Sequence, residues 1–362
     1  MVPRSLWSTN SIAVRAVITA VVASVINGCG GDKITNPISP LNAFKQTNLV
    51  ADTAGQAAAA LDKDLLNAWG IAFGPTGVLW AANNHSGTST LYDATGAKLP
   101  TTVTVPGSSL TDPGAPTGVI LNTTTDFVIP GAGTALFVFA GEDGTIAAWN
   151  PSLGAAAHLV ANRSVNGAVY KGVAIASNNG ANFLYLTDFK GGHIDVFDRA
   201  FTFVKSFTDA TVPAGYAPFG IGTIAGQLYV TFAKQQGPDN EDDAPGVGNG
   251  FVDVFNADGT LSRRFASNGK LNSPWGIAMA PANFGAFSGD ILVGNFGDGL
   301  IGAYDPTTGK LVDVVRDSTT KPIVINGLWG LAFGPGANAT KLYFTAGPGG
   351  EKHGLIGALT AP

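Results

Sequence analysis

The stretch Trp69-Gly70-Ile71-Ala72-Phe73-Gly74-Pro75 decides the fold, because it returns along the chain. Two close copies are Pro274-Trp275-Gly276-Ile277-Ala278-Met279 and Leu328-Trp329-Gly330-Leu331-Ala332-Phe333. Three weaker copies surround the glycines at 118, 172 and 220, so successive anchoring glycines are 48, 54, 48, 56 and 54 residues apart. A period of this length is typical of a propeller or a solenoid.

Each copy is followed by short runs with the composition of β-strands. After the first copy these runs are Val78–Ala82 and Thr88–Asp93, which are rich in apolar, aromatic or β-branched residues. The second run leads into a turn, in which Asp93 bonds its own backbone and Gly96 takes the left-handed position. The repeating unit is therefore three or four antiparallel strands joined by hairpins.

Six such units predict an all-β fold, a six-bladed β-propeller. A lone unit would expose an apolar face, and closing six units into a ring buries these faces and removes the open sheet edges. The last unit reaches Pro362 without a fourth strand, whereas the strand-like run Phe44–Val50 precedes the first unit and has no assigned place. We therefore expect residues 44–362 to form the propeller, closed by an N-terminal strand that completes the last blade.

The first 29 residues differ in composition from the rest. Arg4 and Arg15 precede an apolar run at 16–26, which suits a signal peptide and is too short to span a bilayer. The run leads into Ile26-Asn27-Gly28-Cys29, which resembles a bacterial lipobox with Cys29 as the lipidated residue, although Asn27 departs from the usual pattern. The alternative is an ordinary secretory signal with a stray cysteine. Residues 30–43 are typical of a flexible tether.

These N-terminal features predict an exported protein at the cell envelope or outside the cell, with a lipid at Cys29 as its only membrane attachment. The 362 residues carry 20 lysines and arginines against 25 aspartates and glutamates, a net charge of -5. A phosphate-binding face needs clustered basic residues, so we expect no nucleic-acid partner. Cys29 is the sole cysteine and cannot form an internal disulfide.

Five runs carry a family resemblance: Leu49–Asp52, Leu65–Ala72, Trp80–Asn84, Phe139–Ile146 and Gly294–Gly299. They resemble an uncharacterised bacterial β-propeller family, some members of which have a C-terminal exosortase-type sorting tail. The resemblance implies a propeller over roughly 44–359 and no assigned activity. More distantly, the repeat resembles NHL-type six-bladed propellers, which include gluconolactonase-like hydrolases, a streptogramin-opening lyase, a peptide-amidating lyase and pure binding modules. The fold alone does not choose among these.

Most of the notable polar residues are expected in the loops between the second and third strands, which emerge on one face of a propeller. As ligand-binding residues we predict Asn84, Asp143, Asp298 and His353. Candidate catalytic residues on the same face are His85, His193 and Glu142. The long acidic loop at 235–249 lacks the spacing of a calcium-binding loop, and it is interpreted as a solvated surface loop.

One pattern within these loops points to a cation. Alignment of the second strands places Asn83, Asp188 and Asn295 at equivalent positions in blades one, three and five. In a six-bladed ring these side chains would lie about 120° apart around the channel mouth, and oxygen ligands of low charge suit Ca²⁺ or Mg²⁺. The alternative is that they cap strand ends and satisfy loop amides.

Two functions follow from these expectations. The first is a ligand-binding or scaffolding module at the cell envelope, which holds a peptide, glycan or protein on the loop face. The second is a divalent-cation-dependent hydrolase or lyase of the lactonase type, with Asn83, Asp188 and Asn295 holding the metal and a nearby His or Glu as the base. No nucleophile elbow, phosphate loop or cysteine-rich metal motif is present.

Overall fold

The computed structural model describes residues 41–109 and 111–362, which form six successive β-sheets and a small two-stranded hairpin. This is the six-bladed β-propeller expected from the sequence. The predicted signal peptide, most of the tether and Cys29 lie outside the described residues. No helix in the described ranges is long and apolar enough to cross a membrane.

Blades 1 to 5 each contain four antiparallel strands that run from the axis outward in chain order. Blade 1 comprises Ala68–Phe73, Leu79–Asn83, Thr88–Tyr92 and Lys98–Thr104, and blade 2 comprises Pro116–Leu121, Phe137–Gly141, Thr145–Trp149 and His158–Asn162. Blade 3 comprises Tyr170–Asn178, Ala181–Asp188, His193–Phe197 and Phe203–Phe207, and blade 4 comprises Tyr216–Ile224, Gln227–Lys234, Gly250–Phe255 and Leu261–Ser267. Blade 5 comprises Pro274–Met279, Ile291–Asn295, Ile301–Tyr304 and Leu311–Val314.

Blade 6 joins the two ends of the described chain. Its inner three strands are Leu328–Phe333, Lys341–Ala346 and Leu355–Thr360. The N-terminal strand Lys45–Ala51 pairs antiparallel with Leu355–Thr360, and the short strand Ala60–Leu61 pairs parallel on its outer side. The predicted closure by an N-terminal strand is therefore confirmed, and the short parallel strand is an addition that the sequence pattern did not indicate.

Short elements connect and decorate the blades. The hairpin Val128–Ile129 with Gly133–Thr134 is inserted in blade 2. Single-turn 3-10 helices are Ala54–Gln56, Asn84–Ser86, Pro151–Leu153, Ser164–Asn166, Gly285–Phe287 and Gly336–Asn338. The predicted turn chemistry is present after blade 1's third strand, where Asp93 Oδ1 accepts a hydrogen bond of 2.8 Å from the Thr95 amide and Gly96 has a φ of +91°.

The anchoring glycines explain how closely the inner strands approach one another. A Cβ added to Gly70 would lie 2.6 Å from the Thr117 carbonyl oxygen of blade 2, and one added to Gly220 would lie 2.0 Å from the Trp275 carbonyl oxygen of blade 5. A Cβ added to Gly118, Gly276 or Gly330 would lie 2.9, 2.4 or 2.7 Å from a backbone atom of the next blade, whereas at Gly172 the approach to Ile221 of blade 4 is looser, at 3.3 Å. Only a residue without a side chain allows this backbone contact, so the repeated glycine is a requirement of the ring.

Apolar side chains fill the spaces between adjacent sheets. Between blades 1 and 2, for example, the ring of Trp80 stacks on Phe137 at 4.1 Å and lies 4.8 Å from Trp149. This packing fixes each blade relative to its neighbours, and it holds the loops at the two ends of the propeller in a constant arrangement.

Candidate functional site

The loops between second and third strands lie together at one end of the propeller, which we call the loop face. They span 84–87, 142–144, 189–192, 235–249, 296–300 and 347–354. These six loops contain eight carboxylate residues and two lysines: Glu142, Asp143, Asp239, Glu241, Asp242, Asp243, Asp298 and Glu351, against Lys190 and Lys352. Their net charge of -6 is more negative than the net charge of -5 of the whole chain, so the negative charge is concentrated on this face.

Aromatic side chains close the channel beneath this face. The residue before the anchoring glycine is aromatic in four blades, namely Trp69, Phe219, Trp275 and Trp329. These residues come from different blades and contact one another, which places them on the axis. Trp69 stacks on Trp329 with ring centroids 3.6 Å apart, and Phe296 covers the other side at 4.0 Å. The tryptophans of the repeat therefore pack against one another at the axis.

Lys171 occupies the corresponding position in blade 3 and is only 2% exposed. Its Nζ lies 5.1 Å from the centre of the Trp69 ring, a cation–π contact. The same ammonium contacts Glu142 Oε1 and lies 3.7 Å from Asp242 Oδ1. A buried ammonium needs such partners, because desolvation without them costs several kcal/mol, of order the penalty for burying an ion.

A hydrogen-bonded network extends from Glu142 around the channel mouth. Asn84 donates to Glu142 Oε2 at 2.7 Å and accepts from Asn67 at 3.5 Å. Asn67 also donates to Glu351 Oε1 at 3.0 Å and accepts from the Trp329 indole at 3.1 Å. Burial raises the pKa of Glu351, and the nearby charge of Glu142 raises it further. The network thus links Glu142 of blade 2 to Glu351 of blade 6 through Asn84 and Asn67, which lie in the loops of blade 1.

The acidic loop 235–249 of blade 4 is largely exposed, in keeping with the solvated surface loop expected from the sequence, and it also bonds to its neighbours. Gln235 Nε2 donates to the Phe189 carbonyl of blade 3 at 2.7 Å, and Gly246 N donates to Asn272 Oδ1 at 2.6 Å. Lys190 Nζ lies 2.6 Å from Glu241 Oε1. The loop is therefore held by contacts to the segments on both of its sides.

Asp243 is the buried residue of this loop, with an exposure of 9%. Burial raises the pKa of its carboxyl to about 6, while the charge of Lys171 opposes that shift. Its Oδ2 and the Ser273 Oγ have no hydrogen-bond partner in the described part of the chain. The carboxyl is thus a buried group that lacks a full set of partners.

The three predicted metal ligands are each bonded within their own blade. Asn83 donates to Thr88 and Thr90 at 3.1 and 2.9 Å, and Asp188 Oδ1 accepts from the backbone amides of Val169 and Gly191. Asn295 donates to the Lys270 carbonyl at 2.7 Å and to Asp298 at 3.1 Å. These contacts match the alternative of strand-end capping. Asn83 Oδ1 is buried and has no partner among the described residues, and the cation at this mouth stays a prediction.

Asp188 also belongs to a second group with metal-binding residue types, formed with His193 and Asp195. The His193 Nδ1 lies 2.9 Å from the Gly191 carbonyl oxygen, and its Nε2 lies 3.1 Å from Asp195 Oδ1. Both ring nitrogens therefore face acceptors, which favours the imidazolium. The hydrogen bond to Asp195 raises the pKa of His193, and a proton on the ring competes with a metal for the same nitrogen.

Asp195 itself has further partners that complete an ion-pair network. It accepts hydrogen bonds from Tyr170 at 2.8 Å and Ser206 at 2.6 Å, and Arg163 Nε lies 3.2 Å from Oδ2. With a guanidinium and an imidazolium beside it, this carboxylate is already neutralised. We interpret the Asp188–His193–Asp195 group as a structural network of blade 3.

The other predicted residues are placed in different parts of the loop face. Asp143 accepts from the Ser108 amide at 2.5 Å, and Asp298 accepts from Asn272 at 3.2 Å. His353 Nδ1 lies 2.8 Å from Asp52 Oδ2, which fastens the loop of blade 6 to the N-terminal segment. His85 is exposed, and its charge lowers the pKa of Glu351. Of the predicted set, Asn84 bonds to Glu142 and Asn295 bonds to Asp298, while His193 Nε2 lies 3.5 Å from Asp188 Oδ2.

Sequence reasoning missed Asn67, Lys171 and Asp243 as members of this site. A signal for Lys171 was present, because a lysine stands where four other repeats have an aromatic residue. Asn67 gave no such signal, and Asp243 is one of four carboxylate residues in the loop 235–249, where nothing in the sequence marks it as the buried one.

Beside this network lies an open cleft of about 530 Å³. Its charged lining residues are Glu142 and Asp143 of blade 2, Lys190 of blade 3, and Glu241 and Asp242 of the blade 4 loop. The central channel is a separate cavity of about 180 Å³, lined mainly by five of the six anchoring glycines and by Ile, Val and Leu residues of the inner strands.

Comparison with known proteins identifies the relatives of this chain. "Uncharacterized protein R648" of Acanthamoeba polyphaga mimivirus is 36% identical over 353 residues, which cover 93% of this chain and 86% of the relative. "Uncharacterized protein L690" of the same virus is 36% identical over 351 residues, covering 92% and 91%. The chain belongs to the family of these mimivirus proteins. No family model matches it.

The family finding corrects the resemblance drawn from the sequence. The chain was expected to belong to a bacterial propeller family, and that assignment is wrong, because the relatives found are viral proteins. The quoted motifs are strand and turn motifs of the blade, which any propeller of this repeat type requires, and they do not discriminate between bacterial and viral lineages.

Solved structures that resemble the chain are propellers. A streptogramin B lyase shares 13% identity, covering 88% of this chain and 97% of that one, with a TM-score of 0.51. A luciferin-regenerating enzyme shares 16% identity, covering 83% and 94%, with a TM-score of 0.52. At this level of identity the similarity shows the fold, and it does not transfer an activity.

Proposed function

We propose that this protein is a binding module whose loop face binds a cationic peptide or polypeptide segment. The observation that supports the proposal is the concentration of charge: eight carboxylates against two lysines in six adjacent loops. A face of one sign attracts an oppositely charged partner and speeds its encounter.

The structure of the channel mouth favours binding of a ligand on the loop face over passage of a ligand through the axial channel. The stacked rings of Trp69, Trp329 and Phe296 fill the axial position. Above them, Glu142, Asn84, Asn67 and Glu351 form a hydrogen-bonded network across three blades, in which the two amides are buried and the two carboxylates are partly exposed. A ligand that approaches along the axis therefore meets a rigid floor with an anionic rim.

The test is a titration of labelled nona-arginine and nona-glutamate peptides, followed by fluorescence anisotropy at 50 and 300 mM salt. We expect binding of nona-arginine alone, with an affinity that falls as salt screens the charges. Equal binding of both peptides, or no binding of nona-arginine, would overturn the proposal.

A second candidate is a divalent-cation-dependent hydrolase or lyase of the lactonase type. One observation favours it: the amide oxygen of Asn83, a predicted ligand, is buried and lacks a partner among the residues described. Native mass spectrometry with Ca²⁺ or Mg²⁺, together with a lactone-hydrolysis screen with and without chelator, decides this candidate. No stoichiometric metal and no activity would eliminate it.

Export and lipid attachment form a separate proposal, carried by residues 1–29. An apolar run that leads into Cys29 supports it. Replacement of Cys29 by alanine is expected to move the protein from the membrane to the soluble fraction. Unchanged partition would exclude the lipid anchor.

A further inference from the structure

We propose that the cleft between blades 2, 3 and 4 binds one alkylammonium or guanidinium side chain of the ligand, and that Lys190 competes for this site from within the chain. The proposal rests on the cationic-peptide function above and assigns it to one place on the loop face. A cleft of about 530 Å³ has room for a lysine or arginine side chain.

The lining of the cleft suits a cation. Four carboxylates from two blades face it, Glu142 and Asp143 from blade 2 and Glu241 and Asp242 from the loop 235–249. Small residues at 167–169 and the two serines Ser108 and Ser164 contribute most of the remaining surface. The long aliphatic part of a lysine or arginine therefore meets little steric obstruction.

Ammonium groups of the chain already bind three of these carboxylates. Lys171 Nζ contacts Glu142 and lies 3.7 Å from Asp242, and Lys190 Nζ lies 2.6 Å from Glu241. Each of these three carboxylates is thus placed where it can pair with a nitrogen cation.

Asp243 lies beside the cleft without lining it. It follows Asp242 in the chain, is nine-tenths buried, and has an Oδ2 atom without a hydrogen-bond partner among the residues described. The charge of Lys171 favours its ionised form, whereas the charge of Glu351 opposes it. A ligand cation beside Asp242 would add a second favourable charge.

The two lysines differ in how easily a ligand can replace them. The Lys171 side chain is 2% exposed and part of the axial packing, whereas Lys190 and Glu241 are 40% and 52% exposed. An exposed ion pair contributes little stability. A guanidinium that binds Glu241 through two parallel hydrogen bonds makes a stronger pair, so the ligand can displace Lys190.

The experiment compares Lys190→Ala with Lys352→Ala, using labelled nona-arginine at 150 mM salt. Each substitution removes one positive charge from the loop face, and blade 6 lies opposite blade 3 in the ring. At this salt concentration charges beyond roughly 8 Å are largely screened. Lys190→Met, which keeps the aliphatic part of the side chain, controls for loosening of the loop.

We expect Lys190→Ala and Lys190→Met to tighten binding about two- to fivefold, the range for loss of a weak competing pair, and Lys352→Ala to change it by less than a factor of about 1.5. We expect Glu241→Gln to weaken binding, whereas Asp258→Asn, in a turn on the opposite face, leaves it unchanged.

The outcomes separate this inference from the proposed function. If the Lys190 and Lys352 variants behave alike while nona-arginine still binds, the face binds cations without using this cleft, and only the inference fails. Weaker binding of nona-arginine by the Lys190→Ala protein would show that Lys190 does not compete with the ligand. If nona-arginine binds to none of the proteins, the proposed function fails and the inference fails with it.

Discussion

A Cβ added to Gly330 would lie 2.7 Å from the carbonyl oxygen of Trp69, so the last blade meets the first without room for a side chain. The two residues are far apart in the chain and adjacent at the axis. This contact completes the ring, and it makes Gly330 a direct probe of closure.

Gly330→Ala is expected to lower the free energy of unfolding by about 1–3 kcal/mol, because the added methyl group forces two inner strands apart. Urea denaturation measures this change. The matched control is Gly55→Ala, where an added Cβ meets nothing within 4 Å, and a change within about 0.5 kcal/mol is expected there. Equal effects of the two substitutions would contradict the close-packed ring.

Phe44, the residue before the N-terminal strand, makes a second contact that helps to close the ring. This residue is 2% exposed, and its ring lies 4.8 Å from Phe284 and 5.6 Å from Phe287 of blade 5. Phe44→Ala is expected to cost about 3–5 kcal/mol, the usual loss for a buried phenylalanine. Leu41→Ala, at a position 64% exposed, serves as the control in the same thermal and urea unfolding series. A Phe44→Ala protein as stable as that control would mean that the strand is not part of the folded ring.

His193 predicts a pH dependence of stability. Its folded pKa is raised above 6.5 by Asp195, so its contribution is fully present below pH 6.5 and is lost as pH rises through the folded pKa. The stability advantage of the wild type over His193→Gln is therefore expected to be about 1 kcal/mol near pH 6, the size of a partly exposed ion pair, and to shrink by pH 9. His158→Gln, at an exposed position of blade 2, is the matched control. A difference for His193→Gln that grew with pH would reverse the assigned charge state.

Asp243 predicts a loss of stability in the same direction, towards higher pH, but over a lower pH range. Because burial raises its folded pKa to about 6 from 3.8, the folded state favours the neutral carboxyl, and the wild type loses stability as pH rises from about 4 to above 6. Asp243→Asn, neutral throughout, is expected to gain up to about 3 kcal/mol relative to the wild type over this range. Asp239→Asn in the same loop, at an exposed position, is the control. A flat difference for Asp243→Asn between pH 4 and 7.5 would show that the carboxyl is not buried.

Much of the architecture follows from local sequence alone. The Trp-Gly repeat, the strand-turn alternation and the missing fourth strand of the last unit predicted six blades and an N-terminal closing strand, and both are present. These features are predictable because a blade is built from hairpins, in which neighbours in sequence are neighbours in the sheet.

The candidate site depended on contacts that no local pattern contains. Lys171 meets Glu142 of the preceding blade, and Asn67 meets Glu351 at a separation of 284 residues. The sequence determined that these loops share one face and that the face is acidic. Only the tertiary structure decided which carboxylates have ammonium partners and that Asp243 is buried, because burial and ion pairing depend on how the closed ring turns each side chain toward the axis.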